Sequence, residues 1–244
     1  MNGLLAVATA RRVLSQLRHD PRTVALILVV PCVLLTLMRY VFDAQPETFQ
    51  RVGAATLGIF PFTVMFVVTS VATLRERTTG TLERLLTMPI AKLDLLMGYA
   101  LAFGLLAALQ ALLATALTLG PLGLDVRGST AWVIVVAILD GLLGMALGLF
   151  VSAFAATEFQ AVQFLPAFVL PQLLLCGLFV ARDDMAPVLR WISDVLPLTY
   201  AVEAMARVQA GVIDHLFARD VAVIAGASVL ALALGAATLR RRTP

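Results

Sequence analysis

Residues 75–92 read Arg-Glu-Arg-Thr-Thr-Gly-Thr-Leu-Glu-Arg-Leu-Leu-Thr-Met-Pro-Ile-Ala-Lys, and they separate two long apolar runs. The runs are Val52–Leu74 before the charged stretch and Leu95–Leu119 after it. Each is long enough to cross a hydrocarbon core of ~30 Å, which takes about 20 residues of helix. The charged stretch is therefore predicted to join two membrane spans, and it is the best place in the chain for a water-soluble partner to bind.

The composition of the whole chain also predicts a membrane protein. Of its 244 residues, 61% are hydrophobic and 14% are charged, and the mean hydropathy is +0.96. Soluble domains carry roughly 45–50% apolar and about 25% charged residues. A soluble core of this length cannot bury so much apolar surface. The arginines flank the apolar runs instead of forming one basic face, which argues against a nucleic-acid partner.

Six apolar runs have the length of a membrane span. Because lipid offers no hydrogen-bond partner to the backbone, these runs are predicted to be helices, and no alternating strand pattern occurs. The predicted fold class is all-α, a polytopic membrane protein with six transmembrane helices. The predicted spans are Thr23–Val41, Val52–Leu74, Leu95–Leu119, Ala131–Ala156, Ala161–Ala181 and Val221–Leu239.

Basic residues predict the orientation, because short cytoplasmic loops carry an excess of lysine and arginine. They cluster in residues 11–22, 75–92 and 240–242, which six spans place on one side of the membrane. Both termini are therefore predicted to be cytoplasmic. A single lysine, Lys92, stands against seventeen arginines, a bias typical of GC-rich bacterial genomes. The predicted location is thus the bacterial inner (plasma) membrane, with several passes.

Two segments outside the spans have helical periodicity. In residues 1–22, apolar and basic residues alternate at helical spacing, which predicts an amphipathic interfacial helix on the cytoplasmic surface. In residues 182–219, apolar residues keep that spacing on both sides of Pro197, which predicts an extracellular helical hairpin before the last span. The alternatives are a frayed basic tail for the first segment and a simple surface loop for the second.

No catalytic motif is visible in the sequence. It lacks the phosphate-binding G-x-x-x-x-G-K-[ST], the metalloprotease H-E-x-x-H and the hydrolase G-x-S-x-G. Cys32 and Cys176 both fall within apolar runs and indicate neither a disulfide framework nor a metal site. The chain is therefore predicted to be non-catalytic and to bind no cofactor or metal of its own.

The charged stretch has the pattern of a short amphipathic helix. Gly80 permits a sharp turn before it, and Pro89 ends it. Between them, three leucines share one helical face and two charged residues share another: Leu82, Leu85, Leu86, Glu83 and Arg84. Such a helix fits a groove on a soluble protein. The alternative is a solvated loop whose arginines only fix the topology.

The stretch Glu76–Ile90 resembles the loop of type-2 ABC transporter permeases (the ABC-2 class), which typically reads Glu-Arg-x-x-Gly-Thr-x-Glu, a leucine-rich turn and then proline. Residues 196–204, Leu-Pro-Leu-Thr-Tyr-Ala-Val-Glu-Ala, are similar to that family's Pro-Leu-Thr-Tyr segment before the last span. Thr79 departs from the pattern, where a charged residue is common. The resemblance covers nearly the whole chain, and among subfamilies it is strongest to the daunorubicin-resistance type of actinobacterial export permease.

This resemblance implies the permease subunit of an ATP-driven exporter. It implies that a separate ABC ATPase subunit, which carries ATP and Mg, docks under the cytoplasmic coupling loop of residues 75–94. It also implies a second permease chain, in a homodimer or a heterodimer. The implied docking residues are Glu76, Arg77, Gly80, Thr81, Leu82, Glu83, Arg84, Leu85, Leu86 and Pro89. The hairpin residues that match the family are Pro197, Thr199, Tyr200, Glu203 and Arg207.

Polar residues inside the spans mark a candidate pathway for a hydrophobic or amphipathic cargo, drug or lipid-like. A carboxylate in the membrane is costly unless it is paired or neutral, so Asp140 is either functional or a protonated structural group. Spans two and five, which carry further polar residues, are candidates to line a dimer seam. The candidate pathway residues are Asp140, Thr63, Thr69, Gln163 and Gln172. Gly144 and Gly148, at GxxxG spacing, predict close helix packing.

Two other functional classes stay open. A proton- or ion-coupled secondary transporter needs intramembrane carboxylates and often an inverted repeat, and Asp140 alone is weak support for one. An integral-membrane enzyme needs a catalytic constellation near one membrane face. An adjacent gene for an ATPase with a phosphate-binding loop would favour the exporter over both.

Overall fold

The structure, a computed structural model, describes residues 3–81 and 91–238, and within these ranges the chain is helical without β-strands. Six of the helices there are long and apolar enough to cross a membrane, so the predicted all-α class with six spans is confirmed. The helices are α1 Gly3–Arg18, α2 Pro21–Val41, α3 Pro46–Thr78, α4 Lys92–Leu119, α5 Thr130–Val151, α6 Glu158–Leu175, α7 Pro187–Val195, α8 Pro197–Ala210 and α9 His215–Thr238. Short 3₁₀ turns follow α5 (Ser152–Phe154) and precede α7 (Arg182–Asp184).

Local sequence sets where these helices begin. Proline is the first residue of α2, α3, α7 and α8, a position where its missing N–H interrupts no helical hydrogen bond. Polar side chains cap three of the spans by accepting a backbone N–H at 3.2 Å, and these caps are Asp20 for α2, Ser129 for α5 and Thr157 for α6.

The bundle has two ends. The end that we call the Glu76 end holds α1, the last turn of α3 and the first turns of α4 and α6. The opposite end, the Glu203 end, holds the first turns of α3, α5 and α9 together with the short helices α7 and α8. The predicted interfacial helix and hairpin helices are thus present as helices, and their positions relative to a membrane surface stay predictions.

The central pair of helices is α3 and α5. One apolar core forms around them, with Phe62, Phe66, Leu143 and Met205 almost fully buried. A second core lies where α1 and α2 meet α4. By contrast, α2, α6 and α9 leave most of their apolar surface exposed, and in a membrane protein that surface meets lipid or another helix.

Glycines let the two central helices touch through their backbones. A Cβ atom added at Gly144 would lie 2.1 Å from the carbonyl oxygen of Phe62, and one added at Gly148 would lie 2.3 Å from that of Phe66. No side chain fits at those distances, so the backbone of α3 rests directly on α5. The close packing predicted from the GxxxG spacing is confirmed.

The fifth span differs from its predicted range of Ala161–Ala181. Helix α6 begins three residues earlier, at Glu158, because Thr157 provides its cap. It ends earlier as well, at Leu175, because Gly177 adopts a left-handed φ of 91° and turns the chain. The apolar residues 176–181 therefore lie outside the helix, although hydropathy alone predicts that they belong to the span.

Other predicted boundaries also shift. The predicted fourth span is Ala131–Ala156, but helix α5 ends at Val151, where a 3₁₀ turn begins. Helix α3 extends beyond Val52–Leu74 on both sides, and its 33 residues make it about 50 Å long, more than a bilayer core requires. The last helix begins at His215, so residues 215–219 belong to it and not to the predicted hairpin of residues 182–219. Asp214 explains this start, because its side chain accepts the backbone N–H of Phe217 at 2.9 Å.

We predict that Gly144→Ala destabilises the protein by about 1–3 kcal/mol, because the added methyl group forces the backbones of α3 and α5 apart. The matched control is Gly226→Ala, also within a long helix, where nothing lies within 4 Å of the added Cβ. The control should unfold at the same temperature as the wild type or slightly higher. The measurement is the midpoint of thermal unfolding in detergent, and equal midpoints for both variants would contradict the packing argument.

Candidate functional site

Three helices are tied together at the Glu76 end by one carboxylate. Arg12 of α1 donates from Nη2 to Glu76 of α3 at 3.2 Å, and the hydroxyl of Tyr99 in α4 donates to the same carboxylate. Arg12 also lies 3.3 Å from the Tyr99 hydroxyl oxygen. The Glu76 side chain is only 13% exposed, so these charge-assisted bonds are shielded from water. Movement of α3 at this end is therefore coupled to α1 and α4.

A second link at this end joins α3 to α6. Arg75 donates from Nε and Nη2 to the two carboxylate oxygens of Glu158, at 2.8 and 3.1 Å. Both side chains are at least half exposed, so the pair contributes little to stability. Its bidentate geometry nevertheless fixes the orientation of the two helix ends.

The segment predicted to dock follows α3 in the sequence, and only its first residues are described. Gly80 has a φ of 71°, so the sharp turn predicted there is confirmed. Arg77 points its Nε and Nη2 into the protein, where neither atom has an acceptor within the described residues. Thr81 is half-buried. The other docking residues, Leu82, Glu83, Arg84, Leu85, Leu86 and Pro89, lie outside the described residues.

Asp140 is completely buried at the centre of the bundle. Neither of its carboxylate oxygens has a hydrogen-bond partner in the described part of the chain. A Cβ atom at Gly58 would lie 3.2 Å from its Oδ2, and 3.8 Å from Met205 Cε, so Asp140 sits where α3, α5 and α8 meet. Thr69 of α3 is also fully buried, and its hydroxyl has no hydrogen-bond partner among the described residues.

The other candidate pathway residues occupy different environments. Thr63 is half-buried on α3, whereas Gln163 is exposed on the surface of α6. Gln172 is buried and its side-chain amide forms two hydrogen bonds. Its Nε2 donates to Phe168 O at 3.0 Å, and its Oε1 accepts the backbone N–H of Leu198 at 3.4 Å. The five residues therefore do not line one common surface within a single chain.

The Leu-Pro-Leu-Thr-Tyr segment fixes α8 against its neighbours. Pro197 starts α8 directly after α7 has ended, as predicted. The hydroxyl of Thr199 lies 3.2 Å from that of Ser193, which donates to Leu175 O at 2.8 Å. Tyr200 donates its hydroxyl to Asp194 O at 2.6 Å. The segment thus joins α7, α8 and the end of α6.

Charged residues of the same hairpin form a network with α9. Glu203 accepts from Arg182 and, at 3.3 Å, from Arg219. Asp220 is fully buried between Arg207 at 3.2 Å and Arg219 at 2.7 Å. Arg207 also contacts Asp214 at 3.3 Å, and the hydrogen bond from the backbone of Phe217 lowers the pKa of that carboxyl. The network holds α8 to α9 at the Glu203 end.

Several of these residues are not singled out by sequence reasoning. Arg12 is one arginine among several in a basic segment. Tyr99 lies in an apolar run, where a tyrosine is expected to pack in the hydrophobic core. Gln110 of α4 carries a recognisable signal, since it is a polar residue within an apolar run, like Asp140. It is 1% exposed, and neither amide atom has a hydrogen-bond partner in the described residues.

Comparison with known proteins identifies the family. Residues 4–210 match the family described as ABC-2 type transporter, and the chain belongs to that family. The chain is 30% identical over 170 residues to the probable multidrug ABC transporter permease YbhS of Escherichia coli. The aligned residues make up 68% of this chain and 45% of that protein. The resemblance to ABC-2 permeases is thereby confirmed, as is the prediction of a multi-pass membrane protein.

Two further relatives extend the comparison. The chain is 28% identical over 168 residues to the inner membrane transport permease YhhJ of Escherichia coli, across 68% of this chain and 44% of that protein. It is 25% identical over 138 residues to ABC transporter G family member 20 of Dictyostelium discoideum, across 57% of this chain and 19% of that protein. The matched region thus spans less than half the length of these relatives.

We predict that Glu76→Gln loosens α1, because the neutral amide weakens the bond to Arg12 and disturbs that to Tyr99, at a cost of about 1–3 kcal/mol of local stability. Hydrogen–deuterium exchange of the α1 amides should be faster than in the wild type. The control is Asp43→Asn, whose exposed carboxylate pairs with Arg39 of the neighbouring turn at 3.0 Å and should leave α1 unchanged. Unaltered exchange in Glu76→Gln would show that the carboxylate does not hold α1.

Proposed function

We propose that this chain is the membrane-spanning, non-catalytic subunit of an ATP-driven exporter. A separate ABC ATPase subunit binds and hydrolyses ATP with Mg, and it docks on the coupling loop of residues 75–94. The observation that carries this proposal is the match to ABC-2 type transporters over residues 4–210. The geometry of the Glu76 end supports it, since the docking segment emerges from a helix that is bonded to α1 and α4.

In this proposal the Glu76 end faces the cytoplasm of a bacterial cell. Arg11, Arg12 and Arg18 of α1 and Arg75 and Arg77 of α3 lie at that end, which agrees with the distribution of lysine and arginine in cytoplasmic loops. Both termini are then cytoplasmic, and the hairpin helices α7 and α8 are extracellular.

Force from the ATPase would reach the centre of the bundle through a short series of contacts. Movement of the docking segment pulls on α3, and the carboxylate of Glu76 carries α1 and α4 with it. Because α3 and α5 touch through their backbones at Gly144 and Gly148, α5 must follow the displacement of α3. Helix α8, packed against both, completes the connection to the hairpin.

The cargo in this proposal is a hydrophobic or amphipathic compound, a drug or a lipid-like molecule. The name of the relative YbhS, a probable multidrug permease, supports this class. A second permease chain, identical or different, would complete the pathway. Helices α2 and α6 leave most of their apolar surface exposed and available to it, and α6 would contribute Gln163 to the seam.

The docking role predicts a specific loss of assembly. Leu85→Asp, or deletion of residues 80–86, should abolish co-purification with the ATPase subunit while leaving membrane insertion intact, because a charge replaces an apolar contact in the groove. The control is Ser15→Asp, which adds the same charge on the exposed side of α1. Normal co-purification of Leu85→Asp with the ATPase would refute the docking role.

A second prediction concerns Asp140. If its carboxyl serves the transport cycle, Asp140→Asn should fold and assemble normally yet lower ATP-driven transport severalfold, because the amide has the same shape and cannot ionise. The control is Ser228→Ala, which removes a buried hydroxyl that donates to Ile224 O of its own helix. Wild-type transport by Asp140→Asn in reconstituted vesicles would assign this carboxyl to packing alone.

The same vesicles separate the exporter from a secondary transporter. Transport that requires both the ATPase subunit and ATP supports the proposal. Transport by the permease alone, driven by an ion gradient, would replace it with the secondary-transport alternative.

A further inference from the structure

Asp140 lies halfway along its helix, far from both ends of the bundle. Helix α5 runs from Thr130 to Val151, so about 15 Å of helix separates Asp140 from either end. The residue is completely buried, and neither carboxyl oxygen has a hydrogen-bond partner among the described residues. Asp140 is also the one charged residue of α5.

The surroundings of this carboxyl are largely apolar. Its Oδ2 lies against Gly58 of α3, where an added Cβ would be 3.2 Å away. The same Cβ would be 3.8 Å from Cε of Met205 on α8. One turn earlier on α5, Val136 and Ala137 are fully buried in the apolar core.

Helices α3 and α4 carry no charge at this depth within the described residues. From residue 52 to residue 74, α3 has no charged side chain, and Arg51, two turns before Gly58, is exposed. The charged residues of α4, Lys92 and Asp94, belong to its first turn at the Glu76 end. Neither helix therefore offers Asp140 a counter-charge.

Helices α8 and α9 carry charges that are bound to one another. Arg207 and Arg219 both pair with Asp220, at 3.2 and 2.7 Å, and Glu203 pairs with Arg219 at 3.3 Å. His215, the first residue of α9, is exposed. All of these groups belong to the network at the Glu203 end.

Helix α6 adds no positive charge. Its charged residue, Glu158, is in the first turn at the Glu76 end. The thiol of Cys176, directly after the last residue of α6, interacts electrostatically with Asp140, but a thiol is neutral or negative. An ionised carboxylate buried without a partner is so costly that such a group becomes neutral instead.

We propose that Asp140 is a proton-binding site, whose carboxyl keeps its proton at neutral pH while α3, α5 and α8 are packed around it. An ordinary aspartate, with a pKa of about 3.9, is protonated in about one copy per thousand at pH 7. The bound species is a single proton, and its binding does not depend on the ATPase subunit.

The packing around Asp140 links this proton to movement. Helix α3 leads to the docking segment, and α8 belongs to the hairpin at the Glu203 end. When these helices separate, water reaches the carboxyl, the O–H bond breaks, the proton passes to water and a carboxylate remains. Repacking reverses the step. This coupling rests on the function proposed above, and it predicts that each transport cycle releases and rebinds one proton.

Infrared difference spectroscopy tests the proton directly, because the C=O stretch of a protonated carboxyl is separate from the bands of carboxylates and amides. The full chain is measured at neutral pH in dodecyl maltoside, a detergent without a carbonyl group. The wild type should show a protonated-carboxyl band that Asp140→Asn lacks. The control is Asp43→Asn, which removes an exposed carboxylate and should keep the band. An unchanged band in Asp140→Asn would overturn the proposal.

A metal cation is the other species that could balance this carboxyl. Bound sodium or potassium would ionise Asp140, so the wild type would lack the band and its thermal midpoint would rise with that salt. A bound proton instead predicts equal midpoints in sodium, potassium and choline chloride at the same ionic strength. A salt-specific rise that Asp140→Asn abolishes would replace the proton with that cation.

Gly58→Ala assigns the band to this place in the bundle. The added methyl group would press on Oδ2 from 3.2 Å, so the band should shift in frequency. The control is Gly226→Ala, where nothing lies within 4 Å of the added Cβ and the band should stay in place. An unshifted band in Gly58→Ala would place the proton on another carboxyl.

Deuterium exchange of the same carboxyl separates the site from its coupling. In D₂O the band should shift slowly for the chain alone, and several times faster with the ATPase subunit during ATP hydrolysis. Unchanged exchange during ATP-driven transport would overturn the coupling and leave the bound proton. An intact band without any ATP-driven transport would overturn the exporter and leave the proton site.

Discussion

The direct contact between the backbones of α3 and α5 is the interaction on which the rest of the bundle depends. Water provides no drive for helix association within lipid, so close approach and dispersion must hold membrane helices together. At Gly144 and Gly148 the two helices approach until a carbonyl oxygen of α3 occupies the place of a side chain. The helices around them, α4, α8 and α9, pack on this pair and take their positions from it.

Polar interactions are concentrated at the two ends, where they connect elements that the apolar core leaves independent. At one end, hydrogen bonds to Glu76 of α3 from Arg12 and Tyr99 hold α1 and α4 against α3. At the other, Glu203 and Asp220 join the hairpin to α9 through three arginines. Between the two ends, several buried polar groups lack a hydrogen-bond partner among the described residues, and Asp140 and Gln110 are two of them. This division suits the proposed transmission of movement from one end to the other, because the central helices stay packed.

Much of this architecture is predictable from the sequence because it follows from solvation. Apolar runs of span length, arginines at their ends and proline at helix starts determine the number and type of elements. Boundaries are less predictable where one residue outweighs hydropathy, as Gly177 and Asp214 do at the ends of α6 and α9. Motif similarity selects Glu76 as a docking residue, but it does not identify Arg12 or Tyr99 as its partners. Those contacts are long-range, between residues that are ordinary in their own segments.

Asp140 also restricts how this chain can change over generations. Its Oδ2 lies 3.2 Å from where a Cβ of residue 58 would stand, so the carboxylate occupies the space that glycine leaves open. A side chain at position 58 therefore requires that oxygen to shift by a few tenths of an ångström. Substitutions at the two positions are thus coupled, because the size of side chain that fits at position 58 depends on the residue at position 140.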